Sequence, residues 1–212
     1  MITNYKYFKI LFFYSVFLLS NSFYAQEGTS LIKAQFGLGL NSPSKDGFVN
    51  NFEGKSLNFP TVDLGLQYMF NSELGGKLDY SFSRISNEDN NPTFKLNYSR
   101  INLQLVYDAN NIFTFLPYRT GVFFHVGPGY SAVKPLGNYT QNKESFFNVM
   151  GGMQFHYGVS DTFSIYTDVS YINGFGKEFD PITEGNGSFN GNLLTITFGV
   201  SISLSGCYFC DQ

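Results

Sequence analysis

Strict alternation of apolar and polar residues, repeated eight times along the chain, restricts what this sequence can become more than any other feature. It is cleanest near the C-terminus. Leu194, Ile196, Phe198, Val200, Ile202 and Leu204 share one parity, and Thr195, Thr197, Gly199, Ser201 and Ser203 share the other. Successive side chains of a strand point to opposite faces, so a period of 2 makes this a β-strand with one apolar face.

Seven further segments repeat the pattern. Ala34, Phe36, Leu38 and Leu40 oppose Lys33, Gln35, Gly37 and Gly39. Val62, Leu64, Leu66, Tyr68 and Phe70 oppose Thr61, Asp63, Gly65 and Gln67. Leu78, Tyr80 and Phe82 oppose Lys77, Asp79, Ser81 and Ser83, and Ile101, Leu103, Leu105 and Tyr107 oppose Arg100, Asn102 and Gln104. Phe94, Leu96 and Tyr98 carry the opposite parity, which predicts a bulge or strand end near Ser99. Val122, Phe124, Val126 and Tyr130 then oppose Gly121, Phe123, His125, Gly127 and Gly129. Phe147, Val149, Met153, Phe155 and Tyr157 oppose Asn148, Gly152, Gln154 and His156. Finally Phe163, Ile165, Val169 and Tyr171 oppose Ser164, Tyr166, Asp168 and Ser170.

The connections order these strands. Asn-Ser-Glu joins the second and third, and Gly-Val-Ser-Asp the sixth and seventh, both short enough for hairpins. Long polar stretches join the first to the second, the third to the fourth, the fifth to the sixth and the seventh to the eighth. Alternation of long and short predicts an up-and-down meander with the long loops at one end. The connection DANNIFTFLPY, between the fourth and fifth strands, is longer than its class usually is.

Two features of the N-terminus bear on location. Lys6 and Lys9 precede an apolar run, Ile10 to Leu19, that is too short for a membrane helix and has the layout of a secretory signal peptide. Ser20-x-Ser22 fits the small-x-small rule for cleavage, but a cut after Ala25 is preferred, giving a signal peptide over 1–25, a barrel over 30–204 and a short periplasmic tail over 205–212. Loss of the two lysines takes the net charge from −3 to −5. An acidic exported chain gives no electrostatic case for nucleic acid.

Alternation alone does not say which face is inside. An eight-stranded barrel has an interior just wide enough for side chains to fill it. Phe, Leu, Ile, Tyr and Val from every strand would overfill that interior, whereas the rows of Gly, Ser and Thr fit. Aromatics such as Phe70, Tyr130, Tyr157 and Tyr171 fall near the ends of the apolar rows, as membrane-interface girdles require. The apolar face is therefore expected to meet lipid. The fold class is all-β, an eight-stranded antiparallel up-and-down transmembrane β-barrel.

From Gln35 to Leu204 the chain resembles the small outer-membrane β-barrel family that includes the OmpA N-terminal barrel and OmpX-like proteins. LPYRTGVFFHVGPGYSAV and FNVMGGMQFHYGVSDTFSIYTDVSY carry the resemblance most strongly. It implies a place in the bacterial outer membrane, contact with lipid and lipopolysaccharide, and handling by the barrel-assembly machinery during insertion. Thr197, Gly199, Ile202 and Leu204 match the family's assembly signal of polar-x-Gly-x-x-hydrophobic-x-hydrophobic, although the family usually prefers aromatics at the last positions.

Candidate chemistry is sparse. Asp63, Asp79, Arg100, His125 and Asp168 are expected at similar mid-barrel depths on the lumen face, as a paired structural network, because charges away from water must be partnered. A proton or ion path is the alternative. Catalysis by an activated Ser or water would want a His base on a loop or on the lipid face. Both histidines, His125 and His156, fall on the lumen rows, so no enzyme, cofactor or metal centre is expected. The loop acids, Asp46, Glu53, Glu88, Asp89, Glu144, Glu178, Asp180 and Glu184, read as solvated charges able to bind divalent ions at the lipopolysaccharide surface. Cys207 and Cys210 have no second pair for zinc and no helix to activate a thiol, so a local disulfide or two idle thiols is expected. The expected role is structural or interactive, exercised as a monomer through the extracellular loops, which leave room for a protein partner. An accessory barrel of a secretion or assembly complex, similar to PorT-type proteins, is the alternative, and a narrow channel comes third.

Overall fold

A computed structural model describes residues 32–177, 179 and 185–205. The expected signal peptide, most of the tail with Cys207 and Cys210, and the acids Glu178, Asp180 and Glu184 lie outside the described residues.

The eight alternating segments form strands β1 (Ile32–Pro43), β2 (Asn58–Met69), β3 (Leu74–Ser86), β4 (Lys95–Asp108), β5 (Thr120–Pro135), β6 (Glu144–Gly158), β7 (Phe163–Gly174) and β8 (Leu193–Ser203). Each pairs antiparallel with the next, and β8 returns to β1 through Lys33↔Ser203, Gly37↔Gly199 and Pro43↔Leu193, closing the barrel. Closure leaves no sheet edge, the condition for a sheet to cross a bilayer. Connections 44–57, 87–94, 136–143 and 175–192 gather at one end, and 70–73, 109–119 and 159–162 at the other.

The faces follow the alternation. Leu103, Phe147 and Phe198 point outward and are 65%, 70% and 63% exposed, while Gln67, Asn102, Gln154 and Thr197 on the other parity are buried in the lumen. Outward aromatics pair near the strand ends, as Tyr68 does with Phe70 at 5.7 Å and Tyr130 with Phe147 at 5.4 Å between ring centroids.

Two local departures have physical causes. No bulge occurs near Ser99: the β3–β4 register runs unbroken from Leu74↔Tyr107 to Ser86↔Lys95, and Leu96, Tyr98 and Arg100 all point inward. The parity change in the sequence instead marks a depth at which the lumen itself turns apolar. The register shift lies between β1 and β2, from Gly39↔Thr61 to Asn41↔Asn58, where Phe59 and Pro60 are accommodated as an irregularity.

The apolar stretch of lumen is a packed cluster at the long-loop end. Ile85, Leu96, Tyr98, Val133, Phe146, Met150, Ile172 and Leu193 supply it from the barrel wall. Phe48 comes down from 44–57, Phe94 from 87–94 and Phe189 from 175–192, with the Phe48 and Phe189 rings 4.8 Å apart. The backbone fastens the two largest loops over it. Ser44 N donates to Asn192 O at 2.8 Å, and Asn190 N to Gly47 O at 3.0 Å. Gly47 and Gly191 meet so closely that a Cβ on Gly47 would lie 2.5 Å from the Gly191 Cα, which demands glycine there.

Candidate functional site

Below the apolar cluster the inward rows meet as a polar network. Antiparallel register sets Asp79 beside Asn102, Asp63 beside Ser81, and Asp168 beside Gln154 and Thr197. Arg100 reaches across the lumen from β4. Its Nη1 donates to Asp79 Oδ2 at 2.7 Å and its Nη2 to Asp63 Oδ1 at 3.3 Å. Lys77 Nζ stands 3.4 Å from the other oxygen of Asp79. Arg100 and Asp79 are each 2% exposed, so this charge group is removed from bulk water.

The five expected lumen residues separate into two groups. Asp168 does not meet Arg100. Its Oδ2 accepts from Gln154 Nε2 at 2.7 Å and lies 3.1 Å from His125 Nε2, while Ser170 bonds the other oxygen. The His125 contact is at ion-pair distance without hydrogen-bond alignment. Toward the short-turn end, Gln154 exchanges bonds with Gln35, and His156 Nε2 lies 3.1 Å from Gln154 Oε1. Toward the apolar cluster, Asn102 donates to Asn148 at 2.6 Å, Asn148 to Ser131 at 2.8 Å, and the Ser131 and Tyr98 hydroxyls meet at 2.6 Å. The network is not saturated, since Arg100 Nε, His125 Nδ1 and Gln104 Oε1 have no protein partner.

Basic and acidic side chains meet in the lumen. Lys77 and Arg100 face Asp63 and Asp79, and His125 faces Asp168. At the short-turn mouth Lys33 sits over the Phe123 ring at 4.8 Å, beside a cavity of about 10 Å³ that has room for about one water.

The residues of the expected assembly signal occupy β8 and its exit. Thr197 faces the lumen, while Ile202 and Leu204 face outward and are exposed. Gly199 lies against the Tyr166 ring, whose carbons would be 2.6 Å from an added Cβ.

On the long-loop surface, charges pair with one another. Lys45 Nζ lies 3.5 Å from Glu53 and 3.6 Å from Glu88, and Lys55 Nζ lies 3.4 Å from Asp89. Glu88 and Glu53 together hold the Lys45 ammonium above its ordinary pKa. Three of the expected ion-binding acids are thus engaged by lysine. Among the described residues no group of three or more His, Cys, Asp or Glu side chains is arranged to hold a metal.

Sequence reasoning missed the apolar cluster. Its signal was present: Ile85 continues the parity of Ser83, Val133 that of Ser131, Ile172 that of Ser170, and Leu96 and Tyr98 that of Arg100.

A closed sheet with an apolar outer wall and a charged, hydrogen-bonded interior defines a transmembrane β-barrel. The model of the outer membrane protein beta-barrel domain matches residues 13–201, and the chain belongs to that family of bacterial outer-membrane proteins. Among solved structures, Neisserial surface protein A aligns with a TM-score of 0.55 at 13% identity, covering 84% of this chain and 100% of that one. OprG from Pseudomonas aeruginosa gives 0.53 at 14% identity, covering 82% and 97%. At these identities the likeness is one of fold. The outer membrane enzyme PagL aligns at a TM-score of 0.45 and 13% identity, covering 81% and 99%, too distant to bear on catalysis. Comparison with curated proteins gave no match.

Proposed function

We propose that this barrel is a sealed, non-catalytic platform whose working surface is formed by its four long loops. The termini and short turns face the periplasm, and the long loops face outward to lipopolysaccharide and a protein partner. The signal peptide over 1–25, the tail over 205–212 and a monomeric state belong to the same reading.

One observation carries it: the lumen is packed at successive depths. Arg100 joins Asp79 and Asp63 in the middle, and above it Ile85, Leu96, Ile172, Phe189 and Leu193 are fully buried. Such packing disfavours a channel and leaves the loop surface as the accessible polar feature. Both histidines are 3% exposed within the barrel, where His156 Nδ1 lies 3.1 Å from Ser164 Oγ at the start of β7; neither imidazole is presented at the long-loop surface, which supports the non-catalytic reading.

The test is cross-linking on intact cells. Wild type is compared with a variant in which the loop charges Lys55, Glu88 and Asp89 are all reversed in sign. A partner captured by the wild type and lost in the variant, with both barrels assembled, supports the proposal. Capture through the periplasmic end alone would redirect it to an accessory role in an assembly complex.

A further inference from the structure

The over-long connection between β4 and β5 folds back against the outside of the barrel. Val122 points outward, yet it is 1% exposed, against 39% for Phe124 and 52% for Val126 further along the same face. The turn accounts for this cover. Ala109 N donates to Val122 O at 2.9 Å, Val122 N donates to Asn110 Oδ1 at 2.8 Å, and the Phe113 ring stands 6.5 Å from that of Phe124. Phe124 belongs to the lipid-facing row. Residues 109–119 therefore continue the outer wall of the barrel.

The turn is built to hold this position. Ile112 and Phe113 donate to Ala109 O, Leu116 N donates to Phe113 O, and Thr120 N donates to Pro117 O. Asn111 Nδ2 reaches Glu73 Oε1 of the neighbouring turn at 3.0 Å. What this scaffold presents is apolar: Ile112 is 61% exposed and Phe115 79%, with Phe113 against Phe115 at 6.0 Å. Tyr118 follows, with the Arg119 guanidinium over its ring at 5.9 Å, and Arg119 pairs with Asp161 at 3.1 Å. The neighbouring turns each present a single exposed apolar residue, Phe70 or Val159, beside Asn71, Ser72 and Glu73, or Ser160, Asp161 and Thr162.

We propose that residues 109–119 form a membrane-seated foot, with Ile112, Phe113 and Phe115 in the acyl–headgroup boundary and Tyr118 and Arg119 at headgroup level. The partner is phospholipid, because the surface is continuous with a wall already surrounded by acyl chains. Aromatic rings and a cation bordering an apolar wedge match the chemistry of that boundary. The foot fixes the depth of the barrel on the β4–β5 side. Its assignment to the periplasmic leaflet rests on the orientation proposed above.

The chain has no tryptophan, so one introduced residue is an unambiguous reporter. Phe115→Trp, Phe198→Trp and Ser72→Trp are each folded into phosphatidylethanolamine–phosphatidylglycerol vesicles whose acyl chains carry bromine at a shallow or a deep position. Phe198 lies on the lipid wall and Ser72 in a polar turn, and heat-modifiability verifies folding of each variant. The foot predicts blue-shifted emission from Phe115→Trp, quenched most by shallow bromine and protected from aqueous acrylamide. Emission as water-exposed as that of Ser72→Trp, quenched by acrylamide and untouched by bromolipid, would overturn the proposal. If Phe115→Trp does not fold, Tyr118→Trp carries the same test. Both leaflets are brominated, so the result is independent of orientation, which protease access on whole cells reports separately.

Discussion

Arg100 Nη1 lies 2.7 Å from Asp79 Oδ2, and the other arm of the same guanidinium reaches Asp63 at 3.3 Å. One side chain thus ties β4 to β3 and β2 through the interior of the barrel. Truncating one partner of such a group leaves the others buried and uncompensated, which typically costs ~3–5 kcal/mol. Arg100→Ala is expected to lose stability on that scale, read as the urea midpoint of the heat-modifiable band in lipid vesicles. Lys55→Ala removes only an exposed pair with Asp89, and pairs of that kind are worth ~0–1 kcal/mol.

The apolar cluster makes a separate contribution. Ile172 and Leu193 are fully buried, and shortening a buried aliphatic side chain to Ala typically costs ~2–5 kcal/mol. Ile172→Ala and Leu193→Ala should each lower the same urea midpoint without preventing assembly. Equal stability in both variants would mean that the long-loop end of the lumen is loosely filled.

How far the sequence foretold this arrangement depends on the element. Alternation located every strand: the last, read over Leu194 to Leu204, is β8 at Leu193–Ser203. It also assigned the faces, because a lumen this narrow excludes rows of Phe and Leu on the inside. The parity change at Phe94, Leu96 and Tyr98 implies a bulge only for an interior that is polar throughout, and this one is not. Inside a barrel, apolar side chains shielded by loops are as stable as polar pairs, and periodicity does not distinguish the two. The partners of Arg100 were equally illegible. Asp63, Asp79 and Asp168 share its face, and only side-chain reach across the lumen selects the first two. The folding back of 109–119 left a trace in the sequence only as unusual length.

Loop packing yields a sterically defined prediction. A Cβ on Gly47 would approach the Gly191 backbone to 2.5 Å, so Gly47→Val should separate 44–57 from 175–192. Limited proteolysis of assembled protein should then cut the long loops faster than in wild type, while the barrel remains heat-modifiable. Unchanged protection would show that the Gly47–Gly191 contact is not what holds the loops.

Assembly is expected to depend on β8 and not on the cysteines. β8 closes the barrel on β1 through Ala34↔Ile202 and Leu38↔Phe198. An Arg on the lipid face near the membrane centre typically costs ~2–4 kcal/mol, so Phe198→Arg should reduce the folded fraction in outer membranes. Deleting Ile202 to Leu204 should abolish it, by removing part of the closing ladder. Cys207→Ser with Cys210→Ser should leave that fraction unchanged, since a disulfide closing so short a loop would constrain little of the unfolded chain, and two free thiols none of it.

The sealed lumen is the central claim, and electrical recording addresses it most directly. Wild-type protein, purified in detergent and shown to be heat-modifiable, is inserted into planar bilayers at neutral pH and moderate salt. With Arg100 bonded across the barrel and the aromatic and aliphatic cluster packed above it, no steady conductance is expected at any modest voltage. Sustained, ion-selective single-channel currents from the wild type would contradict the account and restore the channel reading.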